Sequence, residues 1–279
     1  NSNFFSKILA LTSSNSPNTR TLLHESIPLT GTIISGTYSD NNIKNYTHGQ
    51  FQSVYDYPFL SSSANHIFDI SMGYDEGSSL SGSSATQNAK KINMYNQMSQ
   101  VLLGFTGSTN AVRKFELDLT LDNSGVMNEC YFLNFSRLIT KDQIKKGTFS
   151  ITLGTSSYAA PFGLTKTLTD ASASSTGGTL NTLGGDYGLL FSTDNVARGL
   201  VFYESGVVVL STSSFSGRPD FLSSSASGNE DVADVFVSSS ISGGCDVLRR
   251  RVQNISFNNT TEINSSIYFC RVPSNDFKS

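Results

Sequence analysis

The stretch Gly199-Leu200-Val201-Phe202-Tyr203-Glu204-Ser205-Gly206-Val207-Val208-Val209-Leu210-Ser211 indicates the fold class of this chain. Two apolar runs, at 199–203 and 207–211, flank a three-residue connection that ends in Gly206. A hairpin loop of three residues needs one residue with positive φ, and glycine adopts that conformation without steric cost. The stretch therefore predicts an antiparallel β-hairpin.

Further strands are predicted outward from this hairpin in both directions. Residues 115–122 alternate apolar and polar side chains without error, which is typical of a strand with one buried and one wet face. The other candidates are 30–38, 131–138, 148–153, and a pair at 252–257 and 267–272 around an Asn/Thr-rich turn. The sequence thus predicts a mainly β fold of β-sandwich-like antiparallel sheets, with one substantial helix and an extended N-terminal arm.

The substantial helix is predicted at residues 85–103. Ser84 is placed as the N-cap, and Gln87 three residues later completes a capping box that satisfies two backbone N–H groups. Gly104 stands where a left-handed C-cap is favoured. The same capping pattern at Thr140 and Gln143 predicts a shorter helical turn that ends at Gly147.

Three segments follow from these patterns. Residues 1–58 show little periodicity and are predicted to be an extended arm that needs another surface to lie on. Residues 59–215 form the central β-rich domain, which carries the helix. Residues 216–279 form a C-terminal β segment, and we expect the natural protein to continue beyond Ser279.

Composition narrows the classes of partner. Hydrophobic residues make up 37% of the 279 residues and charged residues 15%, at a net charge of −3, so the chain is expected to fold. Short Ser, Thr and Asn side chains lose little rotamer entropy when fixed, which suits large polar interfaces. Because 19 basic residues face 22 acidic ones, we expect no nucleic acid partner. No apolar run approaches the roughly 20 residues of a transmembrane helix, so no membrane role is expected.

The cysteine content predicts thiols. Cys130, Cys245 and Cys270 are an odd number, so at least one stays unpaired. All three have apolar neighbours in sequence, and we expect buried thiols in a reducing compartment.

Residues with catalytic chemistry show no pattern that marks an active site. His24, His48 and His66 lie far apart, so neither a metal site nor a bound cofactor is expected. Phosphate-binding, dinucleotide-binding and nucleophile-elbow motifs are absent. Glycoside hydrolysis needs only two carboxylates at a set separation, so a depolymerase stays open as an alternative. The candidate acids for it are Asp69, Asp75, Glu76, Glu116 and Asp118.

Two groups of residues are candidate contacts for other subunits. The basic run Arg249-Arg250-Arg251 fits either a solvated or salt-bridged segment or an interface patch. On the predicted helix, Tyr95, Met98 and Leu102 belong to an apolar stripe that fits the core, and they become contacts if the stripe is exposed.

A set of short sequences between residues 61 and 147 resembles a known group of proteins. The longest are Ser62-Ser63-Ala64-Asn65-His66-Ile67-Phe68-Asp69-Ile70, Gln87-Asn88-Ala89-Lys90-Lys91-Ile92-Asn93, Asn134-Phe135-Ser136-Arg137-Leu138 and Asp142-Gln143-Ile144-Lys145-Lys146-Gly147. They are similar to stretches of the virion structural proteins encoded by T4-like myoviruses of marine cyanobacteria. Weaker similarity continues to Ile267-Tyr268-Phe269-Cys270-Arg271, so that roughly two-thirds of the chain is covered.

The resemblance implies membership of a bacteriophage particle. The expected function is that of a non-enzymatic structural subunit of the contractile tail or baseplate, made in the bacterial host cytoplasm. Its expected partners are other virion structural proteins, in a homo- or hetero-oligomer. A host-receptor-binding tail-fibre module and a capsid or neck component are the alternatives. The lack of tryptophan weakens the receptor-binding alternative, because sugars stack on exposed aromatic rings.

Overall fold

The structure, a computed structural model, describes residues 18–28, 40–107, 109–215 and 230–266. Four α-helices lie in these ranges: α1 (Asn88–Leu102), α2 (Arg137–Thr140), α3 (Val232–Ser238) and α4 (Ile241–Arg249). The strands are β1 (Asn18–Pro28), β2 (Ile43–Asn45), β3 (Gln52–Tyr55), β4 (His66–Tyr74), β5 (Glu129–Phe135), β6 (Gln143–Ile144), β7 (Ser150–Gly154), β8 (Thr165–Thr169), β9 (Thr179–Thr182), β10 (Gly185–Ser192), β11 (Ala197–Phe202), β12 (Val207–Ser211) and β13 (Val252–Ser266).

All the described strands belong to one antiparallel sheet. Their order is β1-β13-β7-β8-β10-β11-β12-β5-β4-β3-β2, with β6 paired to β13 and β9 paired to β10. The prediction of a mainly β, antiparallel fold is confirmed. The hairpin that the sequence predicts is β11–β12, and Gly206 has a φ of 67° in its turn.

The sheet curls over its largest group of apolar side chains. Phe135 of β5 and Phe257 of β13 are separated by five strands in the sheet, yet their ring centroids lie 5.4 Å apart. Phe149 stacks on Phe257 at 6.0 Å. This contact brings the two parts of the sheet together around a common core, which also contains Phe236 of α3 and Leu248 of α4.

The central strands are buried on both faces. Val208 and Leu210 of β12 point into the curled core, whereas Val207 and Val209 point into a second cluster on the opposite face. A strand covered on both faces has an uninterrupted apolar sequence, which explains the run at 207–210. Helix α1 contributes Tyr95 to the second cluster.

The predicted helix is confirmed, although its N-terminus is built differently. Gln87 is the N-cap residue, with a φ of 55°, and it makes no side-chain capping bond. The predicted capping box with Ser84 is therefore wrong. The Gln87 side chain instead accepts a 2.9 Å hydrogen bond from the backbone N–H of Ile241, which ties α1 to the start of α4. At the other end, Gly104 has the expected positive φ of 81°.

Two local predictions are wrong. Residues 115–122 form no strand, and only an isolated bridge joins Glu116 to Val126. Leu117, Leu119 and Leu121 pack against the second cluster as parts of a loop whose acidic side chains bond to its own backbone. The helical turn predicted at 140–147 is also wrong, because the short helix α2 ends at Thr140 and Lys141 follows with a φ of 56°.

The sheet crosses both predicted segment boundaries. Strands β2 and β3 lie within the predicted arm, and Val54 is buried in the core. The predicted C-terminal β segment contains the helices α3 and α4 before it reaches β13. The residues expected to form a turn there continue as one strand, Val252–Ser266. The candidate strands at 30–38 and 267–272 lie outside the described residues.

Candidate functional site

Strand β1 is joined to the rest of the fold almost entirely through β13. It pairs antiparallel with β13 along its whole length, from Asn18 opposite Ser266 to Pro28 opposite Ser256. In the described part of the chain, β1 makes substantial contact with no other element. The two strands therefore form a ribbon at one end of the sheet, and the outer edge of β1 pairs with no described strand.

The register shows which backbone groups of the ribbon point outward. Asn258 and Thr260 accept hydrogen bonds from Lys145 and Asp142 on the side away from β1. Alternate residues of an antiparallel strand direct both backbone groups to the same side. The intervening residues of β13, such as Thr261, therefore face β1. Since Glu262 lies opposite Leu22 and Thr260 opposite His24, the even-numbered residues of β1 direct their N–H and C=O groups to the outer edge.

A groove of about 260 Å³ lies at the base of the ribbon. Its lining carries one basic and three acidic side chains among Arg137, Asp142, Gln143, Glu204, Thr260 and Glu262. The Asp142 carboxylate accepts a 2.6 Å hydrogen bond from the backbone N–H of Glu262. The Asp142 carboxylate thereby takes the place of a paired strand at the edge of β13, at the point where β6 ends. Asn264 and Ser265, which follow Glu262 along β13, are exposed.

The predicted helix contacts are core residues in the folded chain. Tyr95 is 0% exposed and its hydroxyl donates a 2.9 Å hydrogen bond to the backbone carbonyl of Met127. Leu102 is also buried, and Met98 is half-buried against the same cluster. Tyr95 and Leu102 therefore offer a partner no surface, and the core alternative applies to them. The exposed apolar residues at this end of α1 are Val101 and Phe105.

The basic run is divided between the interior and the surface. Arg249 is buried and forms ion pairs at 2.7 Å with both Asp40 and Asp246. Arg251 is 1% exposed and donates to the backbone carbonyl of Ser156, and burial lowers the pKa of its guanidinium to about 10. Arg250 is exposed, and its guanidinium lies 5.5 Å from the ring centroid of Tyr158. Of the three, Arg250 alone is available to a partner.

Three carboxylates come together in the loop that replaces the predicted strand. Oxygens of Glu116, Asp118 and Asp122 lie within 4.8 Å of one another. The Glu116 carboxylate accepts hydrogen bonds from the backbone N–H groups of Asp122 at 3.0 Å and Asn123 at 3.1 Å. Asp118 accepts from Thr120, and Asp122 accepts from Ser124. Burial raises the pKa of Glu116. These bonds hold the loop in shape, and they engage both oxygens of Glu116 and one oxygen each of Asp118 and Asp122.

Among the other candidate acids and histidines, Asp69, Asp75 and His66 make local contacts. Asp69 accepts from Ser53 at 2.5 Å and lies 2.8 Å from His66 Nε2. Asp75 pairs with Lys114 at 2.7 Å, and Glu76 is exposed beside it. His48 lies on the surface, and His24 belongs to β1. Apart from the loop carboxylates, no metal-binding group of three such side chains occurs in the described ranges.

Two of the three cysteines are buried free thiols, as the sequence predicts. Cys130 and Cys245 are each 0% exposed, and their Sγ atoms lie 3.5 Å from the Met127 carbonyl oxygen and 3.3 Å from that of Ile70. Burial raises the pKa of both thiols well above the usual value, so they stay protonated and unreactive. Cys270 lies outside the described residues.

A second groove, of about 390 Å³, was not foreseen from the sequence. It lies where β8 and β10 end, between a 3₁₀ turn at Ala171–Ser174 and the turn at 193–195. Its lining is Thr167, Thr169, Ala171, Ser172, Phe191, Ser192, Thr193 and Asn195, all without charge. The residues come from four separate elements, so no local sequence pattern marks the groove.

No described helix is long and apolar enough to cross a membrane. Comparisons of the chain with protein-family models, with curated proteins and with solved structures find no match.

Proposed function

We propose that this chain is a non-enzymatic structural subunit of a bacteriophage virion, which assembles into the contractile tail or baseplate through protein–protein interfaces. The observation that carries the proposal is the ribbon of β1 and β13. An 11-residue strand that pairs with one neighbour alone has a second backbone edge that pairs with no described strand. Strands with an open edge are templates for pairing with another chain, and virion subunits use such contacts for assembly.

The side chains with catalytic potential support the same function. The loop carboxylates, Asp69, Asp75 and the two buried cysteines all have structural partners within the chain. Catalytic acids, by contrast, face a cleft in which a substrate sits. For these candidate acids, the arrangement favours a structural function over a depolymerase, which would need a carboxylate pair free to act on a glycosidic bond.

The place in the particle is tested by quantitative mass spectrometry of purified virions separated into heads and tails. Peptides from this chain in the tail fraction, at a small fixed ratio to the sheath protein, are the expected result. Enrichment in heads would move the chain to the capsid or neck. Absence from both fractions would refute the virion proposal.

The role of the ribbon is tested with a pair of substitutions at His24, whose backbone N–H points to the outer edge of β1. His24→Pro removes this donor, and proline is tolerated at an edge where the N–H faces outward. His24→Ala keeps the donor and serves as the matched control. In sedimentation of the purified chain with tail components, we expect His24→Pro to lose association and His24→Ala to keep it. Equal association of the two variants would show that the strand edge is not the contact.

A host-receptor-binding module is the second candidate function. The uncharged groove between β8 and β10 favours it, because host cell surfaces present carbohydrates and the groove is lined by hydroxyl groups. Binding of the purified chain to host cells, without any other virion protein, would support this candidate over an assembly role.

A further inference from the structure

The groove between β8 and β10 offers polar groups that the fold does not use. Ser192 donates to Asp194 and accepts from Arg198, and the hydroxyl of Thr167 bonds to that of Thr152 at 3.0 Å. In contrast, the side chains of Thr169, Ser172, Thr193 and Asn195 make no hydrogen bond within the described part of the chain. Three hydroxyl groups and an amide on three separate elements thus point to a ligand that both donates and accepts hydrogen bonds.

The charge of the groove narrows the class of ligand. The lining contains no Lys, Arg, His, Asp or Glu, and the neighbouring Asp194 and Arg198 pair with each other at 2.8 Å. Hydrogen bonds from Ser192 and Arg198 lower the pKa of Asp194, so the pair stays ionised with no net charge. Anionic ligands such as phosphate are commonly held by cationic side chains, and cations by carboxylates or imidazoles. An uncharged ligand is left.

The apolar part of the lining is small and aromatic. Phe191 pairs with Thr169 across β10 and β8, and its ring is half-buried at the edge of the second cluster. One aromatic ring with Ala171 is too little apolar surface for a hydrophobic ligand, whose pocket is lined predominantly by such groups. A ring bordered by hydroxyl and amide groups suits the mixed polar and C–H surface of a sugar.

We propose that this groove binds a neutral carbohydrate. Phe191 packs against the C–H face of a sugar ring, while Thr169, Ser172 and Asn195 bond to its hydroxyl groups. The volume of about 390 Å³ lies within the range of about 300–1,000 Å³ for ligand pockets. The proposal stands apart from assembly, because the groove and the β1–β13 ribbon share no lining residue.

The test uses variants that remove hydrogen-bonding groups without disturbing the fold. Thr169→Val keeps the shape of the side chain. Asn195→Gly suits the backbone, because Asn195 has a φ of 59°, which glycine adopts without strain. Thr165→Val is the matched control, since Thr165 is an exposed residue of the same strand outside the groove.

The probes are maltohexaose, cellohexaose and a mannohexaose, each titrated into the full chain and followed by saturation-transfer NMR and calorimetry. We expect at least one to bind at millimolar concentration or below. The double variant Thr169→Val/Asn195→Gly loses about tenfold in affinity, as two neutral hydrogen bonds predict, and Thr165→Val binds like the parent chain. The proposal is overturned if none of the three sugars binds, or if the double variant binds as tightly as Thr165→Val.

Discussion

The ammonium group of Lys91 lies 2.6 Å from the backbone carbonyl oxygen of Phe236, to which it donates a hydrogen bond. Lys91 is 0% exposed and projects from α1, whereas Phe236 belongs to the last turn of α3. The last four carbonyl groups of a helix lack intrahelical donors and carry partial negative charge. Lys91 therefore supplies a cation to the end of a neighbouring helix, inside the core.

This position gives the stability of the chain a defined pH dependence. Burial lowers the pKa of Lys91 to about 8, whereas a lysine in the unfolded chain titrates near pH 10.4. Between these values the unfolded state binds the proton that the folded state lacks, so this contribution to stability rises with pH. We expect the free energy of unfolding to rise from pH 8 to 10 relative to Lys91→Met, by at most about 1.4 kcal/mol per pH unit.

Urea unfolding of both proteins across this pH range measures the difference. Subtracting the Lys91→Met curve removes the contribution of tyrosines, whose ionisation in the unfolded state acts in the opposite direction. Parallel curves for the two proteins would contradict a lowered pKa for Lys91.

The packing of α1 on β4 predicts a second effect on stability. A Cβ atom at Gly73 would lie 2.5 Å from the backbone oxygen of Lys91 and 2.8 Å from the backbone nitrogen of Tyr95. The backbone atoms of a helix cannot rotate away from a clash as a flexible side chain can. Gly73→Ala must therefore push α1 away from β4. We expect a loss of about 1–3 kcal/mol in the free energy of unfolding.

Gly82→Ala is the matched control for this substitution. Gly82 is exposed, and the nearest atom to its added Cβ is Ser84 Oγ at 3.9 Å. Its effect is expected to stay within about 0.5 kcal/mol. Similar urea midpoints for the two alanine variants would show that α1 and β4 are not packed at this distance.

The buried carboxylate of Asp170 supports a third prediction. It accepts hydrogen bonds from the backbone N–H groups of Gly147 and Phe149, both at 2.8 Å, and from the Tyr203 hydroxyl at 2.9 Å. Asp170→Ala leaves three buried donors without an acceptor, so we expect a loss of about 3 kcal/mol or more. Tyr203→Phe removes one donor and should cost about 1 kcal/mol. Thermal unfolding of both variants measures the two losses of stability. A larger loss for Tyr203→Phe than for Asp170→Ala would contradict the prediction.

Features set by neighbouring residues could be predicted from the sequence. The β11–β12 hairpin follows from Gly206 between two apolar runs, and the C-terminus of α1 follows from Gly104. The helices α3 and α4 were not predicted, although both begin with a residue type that is favoured as an N-cap. Asp231 and Asp234 form a capping box at α3, and the Ser240 side chain accepts from the N–H of Gly243 at α4.

Features set by distant parts of the chain could not be predicted. Alternation at 115–122 indicates that every second side chain is buried, but a loop lying on an apolar cluster produces the same pattern as a strand. The sequence around Tyr95 and Leu102 does not show which part of the fold covers these two side chains. The groove at Phe191 is formed when β8 pairs with β10, and this pairing joins residues more than 20 positions apart.

The carboxylate loop gives the last prediction, which concerns metal ions. Glu116, Asp118 and Asp122 have the spacing of a cation site, but each accepts a hydrogen bond from the backbone of the loop. A cation would have to compete with the N–H groups of Asp122 and Asn123 for the oxygens of a buried Glu116. We therefore expect a chelator to leave the midpoint of thermal unfolding unchanged, and added calcium not to raise it. Glu116→Ala, in contrast, leaves both N–H groups without their acceptor and should cost about 1–3 kcal/mol. A midpoint that falls on chelation and recovers with calcium would show that the loop holds a metal ion.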